Sequence, residues 1–135
     1  MDQLTIQARV ENLQQVLDFV NEHLERADCP LKSQVQLDIA VEEIFVNIAH
    51  YAYQNTVGDA SIFLEVEKEP VTVNITFMDS GIPYDPLARQ DPDVTLSAEE
   101  RDIGGLGIYM VKKSMDDVSY EYKDGKNVLK IQKRI

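Results

Sequence analysis

A chain of 135 residues with 44% hydrophobic and 27% charged side chains has the size and composition of one folded domain around one core. Its net charge of -11 repels phosphate backbones and anionic lipid, which disfavours a general nucleic-acid or membrane-surface role. The single cysteine, Cys29, excludes an internal disulfide, and with His23 and His50 as the only histidines a structural zinc cluster is disfavoured as well.

The amino terminus lacks a basic segment leading into an apolar one, and no apolar run approaches the 18 or so residues of a membrane span, so the expected setting is cytoplasmic. Residues 112–135 hold seven of the 13 Lys and Arg against four acids, which concentrates the negative charge in residues 1–111. A basic partner or a divalent cation would be drawn there. Solubility is the plainer account of the same acidity.

Residues 4–10, Leu-Thr-Ile-Gln-Ala-Arg-Val, alternate apolar and polar as a half-buried strand does. Leu13, Val16, Leu17, Val20 and Leu24 then recur at helical spacing, which predicts a surface-packed helix over 12–26 that ends near Asp28 to Pro30, with His23 on its solvated side. A second helix over 31–53 carries Leu37, Val41, Ile44, Phe45, Ile48 and Ala52 on one face and Ile39, Ala40, Val46 and Ala49 outside it. Apolar nearly all round, it is expected to be the most buried helix. Residues 61–68 and 71–79 read as strands paired antiparallel around Glu69-Pro70. Residues 80–103 hold Pro83, Pro86 and Pro92 without sustained periodicity and predict a long loop, with at most a short helix near Ser97 to Glu100. Loops of that length in a compact domain are usually functional. Gly104, Gly105 and Gly107 open a helical run to Met115, and 118–123 with 127–134 form a hairpin around Asp124-Gly125. The order predicts an α+β domain, a two-layer sandwich with a mostly antiparallel sheet and helices on one face.

Three groups of residues could carry chemistry. Glu43, Asn47 and His50 share one side of the second helix at spacings of four and three. A carboxylate and an amide oxygen one turn apart suit a hard cation such as Mg2+; a solvated stripe is the bland alternative. Asp79 ends a strand and Gly81 leaves room for a ligand beside the backbone, although Asp-Ser-Gly is also an ordinary turn. The glycines at 104, 105 and 107 can let backbone N–H groups converge on an anion at a helix start, or serve only as a joint. The P-loop and dinucleotide-binding patterns are both missing. Cys29 has no basic neighbour in sequence to activate it and reads as inert.

Glu43-x-x-x-Asn47, Asp79-x-Gly81 and, after a loop of about twenty residues, Gly105-x-Gly107 resemble in order the N-box and two glycine boxes of the GHKL ATPases, which share the Bergerat ATP-binding fold. Within them the chain resembles bacterial anti-sigma-factor serine/threonine kinases, most closely over 42–53 and 88–119. The resemblance implies one ATPase domain over 1–135 with a lid at 83–103. It implies that Glu43 acts as general base and that Asn47 binds Mg2+. Asp79 would accept a hydrogen bond from the adenine amino group beside Gly81, and Gly104, Gly105 and Gly107 would present N–H groups to the phosphates. Many relatives carry a Gly-Thr pair where this chain has Gly125-Lys126-Asn127, so Asn127 is a candidate adenine contact, and Arg101 a candidate phosphate contact.

The function implied is an ATP-dependent serine/threonine kinase that phosphorylates a STAS-domain antagonist and sequesters a sigma factor or similar regulator, as a homodimer. The alternative is a nucleotide-responsive partner-switching module with little or no kinase turnover.

Overall fold

The computed structural model describes residues 1–53, 56–88 and 105–135. They form β1 (Asp2–Gln7), α1 (Leu13–Arg26), α2 (Leu31–Tyr51), β2 (Asp59–Glu67), β3 (Thr72–Asp79), α3 (Gly105–Ser114), β4 (Asp117–Lys123) and β5 (Lys126–Arg134), with single 3-10 turns at Val10–Asn12 and Pro86–Ala88. The five strands make one sheet in the order β1-β2-β3-β5-β4, and every described pairing is antiparallel. Helices pack on one face, so the fold is the expected two-layer α+β sandwich.

The sheet's inward row follows from period two. Ala60, Ile62 and Leu64 on β2, Val73, Ile75 and Phe77 on β3, and Leu129 and Ile131 on β5 are buried; Phe77 lies between Ile62 and Leu129 in register, Ile75 between Leu64 and Ile131, and Ala60 faces Asp79. Against them sit Val16, Val20 and Leu24 of α1 and Leu37, Val41, Ile44 and Phe45 of α2, the positions at spacings of three and four. Each fully buried Leu, Ile or Phe among them contributes about 1.5–3 kcal/mol. One consequence decides the site: Asp79 continues the row of Val73, Ile75 and Phe77, so the pleat aims its side chain to the helix side.

Several expectations are corrected. The first strand ends at Gln7, because Asn12 Nδ2 donates to the Gln7 carbonyl at 3.0 Å and Arg9 N–H donates to the same group at 2.8 Å, which turns the chain into α1. His23 is not solvated. Its side chain is 13% exposed, with Nδ1 2.8 Å from the Phe19 carbonyl and Nε2 2.8 Å from Asp2 Oδ2, tying α1 to β1. Although α2 is apolar nearly all round, Leu31, Val35 and Ile39, one turn apart in its amino-terminal half, are 76%, 47% and 54% exposed. The helix stops at Tyr51. The expected short helix at 97–100, Arg101 and most of the expected lid lie outside the described residues.

The closing hairpin forms as expected. Asp124 and Gly125 both have positive φ, 55° and 76°, which matches the right-handed twist of its strands. The Glu69-Pro70 peptide between β2 and β3 is cis. Lys133 Nζ donates to the Ser114 carbonyl at 2.8 Å, placing a cation at the negative end of α3. Among the described residues, no helix is long and apolar enough to cross a membrane.

Candidate functional site

At the carboxyl end of β3 the sheet and helices part to leave a hollow enclosing about 440 Å3, solvent at its mouth included. Ile44, Ile48, Phe77, Ile108 and Leu129 give it apolar walls, while Asn47, Asp79, Tyr84, Tyr120 and Asn127 supply polar groups. An apolar slot with a few fixed polar atoms suits a flat aromatic ligand.

Asp79 is 6% exposed, and its Oδ1 accepts from the Gly81 backbone N–H and from Asn127 Nδ2, both at 2.9 Å. Its Oδ2 makes no hydrogen bond to any described residue. One carboxylate oxygen is thereby held by the protein and the other is left for a donor in the hollow.

Gly81 is required by close approach. A Cβ there would collide with the Ala52 carbonyl, which also accepts the Ile82 N–H at 3.0 Å. The end of α2 is stitched to this turn again by Tyr53, whose hydroxyl donates to the Asp59 carbonyl at 2.7 Å and accepts the Ser80 N–H at 2.8 Å. Burial, with the nearby charges of Asp79 and Asp59, pushes the Tyr53 phenol up, so it remains a donor. Tyr53 carried no sequence signal beyond closing the helical run.

Asn47 projects into the hollow from α2, half-buried, and its amide makes no hydrogen bond to any described residue. An uncommitted amide oxygen is a fitting ligand for a hard cation that keeps waters and phosphate oxygens as its other ligands. Among the described residues no three His, Cys, Asp or Glu side chains group into a cage.

Glu43 lies one turn before Asn47. It does not line the hollow; its carboxylate fills the space that a Cβ on Gly107 would occupy, in the first turn of α3. Gly107 precedes Ile108, which does line the hollow. The Glu43 carboxyl is pushed above the usual carboxylate range by burial and, secondarily, by the charge of Glu42. An elevated pKa suits a group that must take up a proton. Gly105 begins α3, where helical N–H groups have no intrahelical partner, while Gly104 lies outside the described residues.

His50 is exposed, stacked edge-on against Tyr51 at 6.0 Å between ring centroids, and is not part of the hollow. Tyr51 in turn lies 5.8 Å from Tyr84. Neither Tyr84 nor Tyr120 was foreseeable as a wall, because their placement depends on where residues 82–88 and β4 fall relative to β3. Cys29 is a poor nucleophile: burial and then the charge of Asp38 push its thiol up, against a smaller opposing effect of Lys133.

The family model described as the histidine kinase-like ATPase domain matches residues 6–133. The chain is 28% identical over 97 residues to a serine-protein kinase RsbW of Bacillus cereus, covering 69% of this chain and 59% of that protein. The same figures hold for the serine-protein kinase RsbW of Bacillus thuringiensis subsp. konkukian. A solved structure of the RsbU and RsbW domains of a Mycobacterium tuberculosis protein superposes with a TM-score of 0.64 at 13% identity, over 99% of this chain and 32% of that one, a likeness of fold. The two-layer sandwich is of the Bergerat ATP-binding type, and with its family model matched from Ile6 to Lys133 the chain belongs to the histidine kinase-like ATPase domain family, related to the RsbW-type kinases.

Proposed function

We propose that the chain binds ATP in the hollow at the end of β3 and transfers its γ-phosphoryl group to a Ser or Thr hydroxyl of a protein partner. The carrying observation is that Asn47 and Asp79, 32 positions apart in sequence, line one hollow, with Glu43 held against Gly107 at its edge. Asp79 Oδ2 accepts the adenine amino group, and Gly81 keeps the backbone close to the ring. Asn47 would hold Mg2+, which would supply positive charge against the phosphates. Backbone N–H groups at the start of α3, those of Gly105 and Gly107, face the phosphates. Glu43 accepts the proton of the attacking hydroxyl, its elevated pKa favouring that uptake.

The protein partner is a STAS-type antagonist, and the captured regulator a sigma factor or its like. This part rests on likeness to the RsbW kinases, of which the aligned stretch spans 59% of the length. A homodimer through the exposed sheet or the first strand and helix, and a cytoplasmic setting, belong to the same proposal.

The test is incubation of the chain and a cognate STAS protein with radiolabelled ATP and Mg2+. Label on the STAS protein with the wild type and none with Glu43→Gln supports the kinase. If the two are equally inactive while both still bind ATP, the chain is a nucleotide-responsive binding switch.

A further inference from the structure

The Asn127 side chain is saturated within the protein. Its Nδ2 donates to Asp79 Oδ1 at 2.9 Å and to the Ile82 carbonyl at 2.8 Å; its Oδ1 accepts the Tyr84 N–H at 3.1 Å and the Tyr120 hydroxyl. A primary amide offers two donor hydrogens and two acceptor lone pairs, so these four bonds use its capacity and leave nothing for a ligand. The residue is 6% exposed and lies directly across from Asp79 in the β3–β5 register. Burial pushes the Tyr120 phenol up, which keeps it a donor to this amide.

Two of the four partners, Ile82 and Tyr84, lie where the chain leaves β3. A third is Asp79 Oδ1, the oxygen that also accepts the Gly81 N–H. We infer that Asn127 is a positioning residue which never touches the base: it turns Asp79 so that Oδ2 alone is offered to an adenine amino group, and it pins Ile82–Tyr84, the root of the 83–103 segment, to that same carboxylate. Base recognition and the root of the segment are joined through one amide. A single hydroxyl at 127 could not do this, since it has one hydrogen to donate where Asp79 and Ile82 require two. The inference rests on the ATP-binding reading above.

Asn127→Asp is the discriminating variant. It keeps an acceptor for Tyr84 and Tyr120 but sets a second carboxylate against Asp79. Facing carboxylates share a proton, and one of them titrates high. Calorimetric titration with Mg2+ and ATP should show affinity reduced about tenfold to hundredfold against wild type near about pH 8. It should return towards the wild-type value at the same pH as the solution is taken to about pH 5.5, because the shared proton restores a donor to Asp79. A purely structural defect would show no such acid recovery. Should that variant fail to fold, Asn127→Thr should narrow the preference for ATP over GTP and speed hydrogen exchange at the Tyr84 amide. Asn127→Asp binding ATP as tightly as wild type at both pH values overturns the inference and leaves the ATP site standing. Wild type binding neither ATP nor GTP overturns the ATP-binding reading and the inference with it.

Discussion

The Glu43 carboxylate occupies the place that a side chain on Gly107 would take, so the second helix and the start of the third meet at a charged group and a residue with no Cβ. Gly107→Ala should therefore separate activity from stability. The methyl group raises helix propensity by up to about 1 kcal/mol, and turning the flexible Glu43 aside costs about 0.5–1.5 kcal/mol, so unfolding free energy should stay within about 1 kcal/mol of wild type. Phosphoryl transfer should fall about tenfold or more, since a general base displaced by an ångström loses its alignment. Parallel urea melts and transfer assays check this; a variant as active as wild type would remove the Glu43–Gly107 contact from the mechanism.

Glu43→Gln should abolish transfer and raise thermal stability at neutral pH. The sign follows from the elevated pKa: between the unfolded and folded values the folded chain binds more protons, so stability falls as pH rises through that window. Above it the ionised carboxylate is a liability that the amide removes. Below about pH 4, the ordinary carboxylate range, both states are protonated and the advantage of Gln should shrink. Melting curves at the two pH values test this, and an advantage that does not change with pH would show that Glu43 ionisation plays no part.

Asp79→Asn should keep the fold and lose the base. The new Oδ1 can still accept from Gly81 and Asn127, but an N–H pair replaces Oδ2 and meets the adenine amino group donor to donor. ATP affinity should drop about tenfold to hundredfold. Calorimetry with ATP and with inorganic triphosphate separates the outcomes: equal losses for both would mean that Asp79 does not read the base.

Tyr53→Phe removes the hydroxyl that joins the Asp59 carbonyl to the Ser80 N–H. About 1–2 kcal/mol of stability should go with it. The urea midpoint should fall at unchanged slope; an unmoved midpoint would mean that water replaces the hydroxyl at no cost.

Legibility in the sequence followed the range over which each feature is determined. Period two through Val73, Ile75 and Phe77 announced a strand and, with it, an inward Asp79. Spacings of three and four announced α1 and α2, and the turn residues Asp124-Gly125 announced the last hairpin. These are local signals. What failed depends on distant partners: His23 is part-buried and paired with Asp2 of the edge strand, and Ile39 stays 54% exposed on a helix that is apolar nearly all round. In sequence Asn127 stood where many relatives carry a Gly-Thr pair, and its role was open. The β3–β5 register instead sets it against Asp79, 48 positions away, where its amide is consumed by the protein.

The central claim is that one hollow takes the nucleotide, and a residue-resolved NMR titration of the 15N-labelled chain with ATP and Mg2+ tests it most directly. The account predicts saturable shifts gathered at the Asn47 and Asn127 side-chain amides and at the Gly81 and Gly107 backbone amides, with little change at Thr5 and Ser61 on the opposite sheet face. No saturable change, or changes centred on Thr5 and Ser61, would contradict it.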